Sequence, residues 1–321
     1  MQYLANPDHI TQECADGLAL VYPEFVHTLP DSFNGRVLLS NSYDPNRVNL
    51  IVSSGGGGGP FSNSFIASPD LADAAVNGNI CTAPSAYDIY EVVKKINSPH
   101  GYLFIYNNFM GDWLNNDLAL ELIETEGYKG YQLPIRDDCL SVPSDAPKSE
   151  RTGSIGLLFA VKIAAACART GASLEEVASL MEHVNDRMSS VMLTYDFEKK
   201  LTMLGEGISG EPARLVYENR FTLEDSAQLS YDLLFEDLKP KANEKIYLLI
   251  NRNHHTLYED SFILAKHLHN YSQSKIPVHQ MSVGYYDRMS ESYGFSVTML
   301  CADERIDPFM QKRCFTDSFI V

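Results

Sequence analysis

The sequence predicts an α/β fold in two domains, the first built on a mostly parallel sheet flanked by helices. Three observations carry that prediction. Strand-like and helix-like segments alternate between residues 48 and 135, and a glycine run directly follows the first of those strands. The chain is also 321 residues long, enough for about two domains of roughly 100–200 residues each.

In chain order, residues 48–52 form a short apolar run that stops at the glycines of 55–59. Residues 85–96 place Ile89, Val92, Val93 and Ile96 at the i, i+3, i+4, i+7 spacing of an amphipathic helix. Residues 102–106 read as a strand, a polar loop follows, and a helix is expected from about Asn115 to Thr125. Residues 130–135 read as the next strand. Strand–loop–helix alternation of this kind implies parallel βαβ units covered by helices. An alanine-rich apolar helix spans 154–170 and ends at Gly171, and Ser173-Leu-Glu-Glu176 has capping-box form for another. Segments 190–195, 245–250 and 294–300 are strand-like, with a helix over about 257–271. The domain boundary is expected near residue 187, giving a first domain of 1–187 and a second of 188–321.

Lys and Arg total 25 against 42 Asp and Glu, a net charge of −17. Nucleic-acid affinity comes largely from basic residues displacing counterions, so direct nucleic-acid binding is not expected, nor is docking on an anionic membrane. The longest apolar stretch, 155–168, is interrupted by Lys162 and is shorter than the roughly 20 residues of a membrane span. The N-terminal residues show no secretory pattern, and the six cysteines are scattered without a C-x-x-C pair. A cytoplasmic protein is expected, with no metal site and no cofactor. His254-His255 is read as a turn or crevice lining, because adjacent residues seldom converge on one ion. His183 is expected at an interface or surface, and Trp113 as packing beside a pocket.

Three loops carry candidate chemistry. Ser53-Ser-Gly-Gly-Gly-Gly-Gly-Pro60 follows a strand but lacks the Gly-Lys-Ser/Thr of a P-loop and the third glycine of a dinucleotide fingerprint. Asn107-Asn-Phe-Met-Gly-Asp112 places a carboxylate after the next strand, where it can serve as a general base. Gly205-Glu-Gly-Ile-Ser-Gly-Glu-Pro212 carries one hydroxyl and two carboxylates. Taken singly, each reads as a turn as readily as a site.

Together with Thr82-Ala-Pro84, Ile135-Arg-Asp-Asp138, Gly294-Phe-Ser-Val-Thr298 and Gly17-Leu-Ala-Leu-Val-Tyr-Pro23, the loops make a specific set. The set resembles the dihydroxyacetone-binding subunit (DhaK) family of the dihydroxyacetone kinases over nearly the whole chain. The resemblance implies a homodimer of two-domain α/β subunits that binds dihydroxyacetone at the end of the first domain's sheet. In active members a histidine in a Gly-Ile-His-Gly-Glu-Pro motif holds the ketone as a hemiaminal. A glycine-loop histidine and an aspartate handle protons, and a serine and a lysine bind the substrate. The phosphoryl group comes from a separate nucleotide-carrying subunit or domain.

Carried over residue by residue, the covalent histidine falls on Ser209 and the glycine-loop histidine on Gly59. Pro60 and Phe61 stand where the family has Glu-Pro. The binding serine falls on Ala83 and the binding lysine on Asn107, while Gly56, Asp112 and the turn Gly210-Glu-Pro212 are kept. A serine hydroxyl needs an adjacent base to act as a nucleophile, and only Glu206 and Glu211 are near Ser209 in sequence. The resemblance therefore implies a non-catalytic paralogue: a sensor of a dihydroxyacetone-like carbonyl or polyol, or a coactivator working through a TetR-type, DNA-binding regulator. The alternatives are a divergent kinase subunit that phosphorylates a triose or polyol with a nucleotide-bearing partner, and a docking module with an empty pocket.

Overall fold

The computed structural model describes residues 4–30, 32, 36–55, 71–80, 82–286 and 292–314. Among these, the chain divides into two compact units. The first takes the residues up to Ile135, then Leu157–Glu182 and those from Phe309, and the second takes Arg136–Gly156 and His183–Pro308. One change of unit, after Glu182, falls just before the expected boundary near residue 187. The segment Arg136–Gly156 joins the second unit through backbone bonds: Asp138 bridges to Ser190, and the Cys139 amide donates to the Ser190 carbonyl at 3.0 Å.

In the first unit the elements are α1 (Ile10–Val21), β1 (Val26–Thr28), β2 (Val37–Ser40), β3 (Asn49–Val52) and β4 (Ala74–Val76). They continue with α2 (Ala86–Ile96), β5 (Tyr102–Asn107), α3 (Met110–Thr125), β6 (Gly130–Ile135), α4 (Leu157–Ala168) and α5 (Leu174–Asp186). The strand order is β1-β2-β4-β3-β5-β6. β4, β3, β5 and β6 run parallel, and β1 and β2 add an antiparallel margin. Every residue of β3 and β5 is buried, as a parallel sheet covered on both faces requires.

The expected apolar stripe of α2 packs Ile89, Val92, Val93 and Ile96 against Ile51 and Phe104. Ser85 caps that helix by accepting from the Tyr87 amide at 3.2 Å, and Asn97 ends it in the left-handed region at φ 55°. α4 packs on β3 and β5 and is buried on nearly every side, Lys162 included. The capping box at the start of α5 is formed: Glu176 accepts from the Ser173 amide at 2.8 Å, and Ser173 Oγ accepts from the Glu176 amide at 3.2 Å.

The second unit holds β7 (Met188–Asp196), β8 (Leu201–Leu204), β9 (Leu215–Tyr217), α6 (Leu223–Leu238), β10 (Lys245–Arg252), α7 (Tyr258–Ser272), β11 (Val278–Gly284) and β12 (Tyr293–Ala302). Their order is β11-β10-β12-β7-β8-β9, antiparallel throughout except for β10 and β11, which α7 joins as a βαβ unit. Ala227, Tyr231 and Leu234 of α6 and Leu264 and Leu268 of α7 cover one face of this sheet.

Candidate functional site

The first unit's sheet has a switch point between β3 and β5. The chain leaves β3 towards β4 on one side and leaves β5 towards β6 on the other, which opens a crevice at the carboxyl ends of the two strands. Ser53, Ser54 and Gly55 follow β3, and Asn107 ends β5. The expected helix after β5 begins at Met110 rather than near Asn115, so Asp112 lies in the first turn of α3 and not in a loop. The Trp113 amide, donating to the Phe109 carbonyl at 2.9 Å, already closes a helical turn around it.

Asp112 is 1% exposed. Its Oδ1 accepts from the Gly55 amide at 3.3 Å, while Oδ2 is buried and has no partner. Burial pushes its carboxyl up to about 7, against the opposing effect of the Gly55 amide, because a carboxylate loses hydration there. One turn on, Asn116 Oδ1 accepts from Ser53 Oγ at 2.5 Å, and its Nδ2 donates to the Asp112 carbonyl at 2.8 Å. Asn116 thus ties the β3 loop to the helix that carries Asp112. The Asn107 amide donates to Ser54 Oγ at 3.3 Å, and Asn107 Oδ1 is a second buried oxygen without a partner.

The loop after β4 closes against the same place. A Cβ on Gly55 would lie 2.7 Å from the Gly78 amide nitrogen, and one on Gly78 would lie 1.7 Å from the Thr82 carbonyl oxygen. Only glycine allows the three backbones to pass so closely. Ala83 is half-buried, with its methyl 3.3 Å from where a Gly111 Cβ would stand, and Asn115 Nδ2 donates to the Pro84 carbonyl at 2.7 Å. Ala83, Asn107 and Asp112 are therefore gathered around the start of α3. Gly56 and Gly59, with Pro60 and Phe61, lie outside the described residues.

Ser209 belongs to the second unit. Its loop is a turn held by its own carboxylate: Glu211 Oε2 accepts from the Ser209 amide at 3.0 Å, and the Gly207 amide donates to the Glu211 carbonyl at 3.2 Å. Gly210 takes φ 86°, and a Cβ on Gly207 would strike Glu211 Oε2. Glu206 points elsewhere and accepts from Thr194 Oγ1 at 2.6 Å. Ser209 itself is exposed.

Beside this loop lies a buried acidic pair that sequence reasoning quoted only as a motif. Asp137 accepts from the Ser154 amide at 2.6 Å, from the Gly156 amide at 2.9 Å and from Ser190 Oγ, and burial still raises its pKa. Burial likewise pushes Asp138 up to about 7, and the charges of Asp137 and Glu211 add to the shift.

Other expectations fare differently. Trp113, the residue after Asp112, is turned about 100° from it around α3 and is 42% exposed rather than packed. His183 is paired with Asp303 at 2.8 Å. His254 and His255 are exposed, with His254 Nδ1 2.9 Å from the Tyr285 hydroxyl. Among the described residues no three His, Cys, Asp or Glu side chains are placed to hold a metal. No helix among them is long and apolar enough to cross a membrane.

The chain is 28% identical over 305 residues, 89% of each chain, to a dihydroxyacetone-binding subunit DhaK from Listeria innocua. It is 26% identical over 268 residues, 78% of this chain and 79% of the other, to the DhaKLM operon coactivator DhaQ of Lactococcus lactis. Erythrulose kinases are also among its relatives. The fold matches that of a dihydroxyacetone kinase from C. freundii with a TM-score of 0.88 at 21% identity, covering 100% of this chain and 62% of that longer one. The Dak1 domain model matches residues 16–318, so the chain belongs to the Dak1 domain family.

Proposed function

We propose that this chain is a non-catalytic paralogue of the dihydroxyacetone kinase subunit. In this reading it binds a dihydroxyacetone-like hydroxyketone or polyol in its first domain and reports it to a DNA-binding, TetR-type partner. The observation that carries the reading is the state of the carboxylates near Ser209. Glu211 accepts from the Ser209 amide and Glu206 from Thr194, and no hydrogen bond joins the Ser209 hydroxyl to either carboxylate, so no adjacent base activates it. Asp112, by contrast, keeps a buried oxygen without a partner. Asp112, Ala83, Asn107, Gly56 and Gly59 are proposed as the binding residues, and Ser209 as the residue in the anchor position.

The charge of −17 adds that any action at DNA goes through a basic partner. A homodimer formed through the second domain completes the proposal. The likeness to the coactivator DhaQ supports it. The likeness to DhaK and to erythrulose kinases favours a second reading, a kinase subunit of altered substrate that works with a nucleotide-bearing partner.

Calorimetric titration of dihydroxyacetone beside a phosphoryl-transfer assay with the nucleotide-bearing subunit separates the two. Binding without turnover is expected. Turnover that disappears in Asp112→Ala would sink the non-catalytic reading.

A further inference from the structure

We infer that the crevice at the ends of β3 and β5 takes a neutral polyol through its hydroxyl groups, with no carbonyl required in the ligand. This rests on the ligand-binding reading above and names the chemistry that the site selects.

Two buried oxygens at the crevice have no partner, Asp112 Oδ2 and Asn107 Oδ1. Both are acceptors. Leaving such a group unsatisfied costs on the order of 1–3 kcal/mol, and more where it is charged. Among the described residues, three other polar groups there are paired with one another: Ser53 with Asn116, the Gly55 amide with Asp112, and the Asn107 backbone amide with Ser54. Both buried orphans need a donor, and a ligand hydroxyl supplies one.

A ligand carbonyl oxygen only accepts, so it satisfies neither orphan. A ketose and the corresponding saturated polyol are then equivalent at these two atoms, because both bring hydroxyls. A phosphate ester is different: it sets a dianion against Asp112, and the side chains that build the crevice (Ser53, Ser54, Ala83, Asn107 and Asn116) carry no positive charge. The residue that ends β5 beside the crevice, Asn107, is likewise uncharged.

The test is calorimetric titration of the full chain at pH 8 with glycerol, dihydroxyacetone and glycerol 3-phosphate, repeated on Asp112→Asn. Glycerol and dihydroxyacetone are expected to bind with Kd values within about tenfold of each other, and glycerol 3-phosphate more weakly than either. Asp112→Asn keeps the shape but turns one acceptor into a donor, and is expected to weaken both neutral ligands by about tenfold or more. If that variant fails to fold, Asn107→Ala serves in its place and is expected to weaken both neutral ligands together.

Dihydroxyacetone binding with glycerol weaker by about a hundredfold overturns the inference and leaves the ligand-binding reading standing. Tighter binding of glycerol 3-phosphate than of glycerol overturns it as well. Failure of all three to bind overturns the ligand-binding reading, and the inference with it.

Discussion

The Gly55 amide and the Asp112 carboxylate meet at 3.3 Å where β3 and β5 end, and this is the hydrogen bond that Asp112 receives from the glycine-rich loop. One such bond does not offset the burial, which holds the Asp112 carboxyl up at about 7. A carboxyl with a raised folded pKa binds more protons folded than unfolded between about pH 4 and 7. Its contribution is therefore fully present below about pH 4 and is lost as pH rises through 7. For a shift of about three pK units the loss is on the order of 4 kcal/mol. Asp138, also raised to about 7, acts in the same direction. Urea unfolding from pH 4 to 8 is expected to show stability falling across this window. Asp112→Asn and Asp138→Asn should each flatten the fall, and a ligand that donates to Asp112 should restore stability at pH 8.

Gly78 and Gly17 make a paired test of where glycine is needed. A methyl on Gly78 would sit 1.7 Å from a carbonyl oxygen, whereas nothing lies within 4 Å of one on Gly17, inside α1. Gly78→Ala is expected to cost about 2–3 kcal/mol and to disturb ligand binding, because a backbone segment has to move. Gly17→Ala should stabilise by about 0.5–1 kcal/mol. Denaturant midpoints of the two variants report both.

Arg151 grips Asp237 with both terminal guanidinium nitrogens, at 2.7 and 2.9 Å, and Lys148 approaches the same carboxylate at 3.8 Å. Burial lowers the Lys148 pKa while Asp237 opposes that shift. Arg151→Ala strands a largely buried carboxylate and is expected to cost about 3–5 kcal/mol. Lys148→Ala removes a cation that is 37% exposed, and its cost should stay within about 1 kcal/mol. Equal losses from the two variants would show that Lys148 holds Asp237 as firmly as Arg151 does.

Ser209 is exposed on a turn fixed by backbone bonds and by Glu211, so its side chain is replaceable without refolding the loop. Ser209→Ala should leave the melting temperature unchanged and leave dihydroxyacetone binding unchanged. Ser209→His is expected to yield an adduct of one dihydroxyacetone per chain by intact-mass spectrometry, with none on the unaltered protein. An adduct on the unaltered protein that is lost in Ser209→Ala would show that serine does the anchoring.

β3 and β5 were legible because each is dominated by an apolar run. β1 and β4, at three residues each, are too short to show any period. The start of α3 was hidden for a different reason. Its first half inverts the usual pattern, exposing Met110, Trp113, Leu114 and Leu118 while burying Asp112 and Asn116. Polar residues drawn inward to serve the crevice erase the apolar stripe by which an amphipathic helix is recognised. The same inversion explains why Trp113 was misplaced and why Asn116 went unnoticed. The clue was present as two polar residues at i, i+4 on one helix face. Asp137 was visible as a residue, but its amide and hydroxyl partners come from Ser154, Gly156 and Ser190, which no local pattern links to it.

The first unit draws on a stretch from Phe309 onward, where Lys162 of α4 donates to the Lys312 carbonyl and lies 3.6 Å from the Cys314 sulfur. During synthesis the ribosome delivers these residues after the whole of the second unit. The buried amine of Lys162 must wait for these two partners until more than a hundred later residues have emerged. The first unit is thus begun before the second and completed after it, and a chain stalled before residue 312 lacks the bonds that Lys162 makes to Lys312 and Cys314.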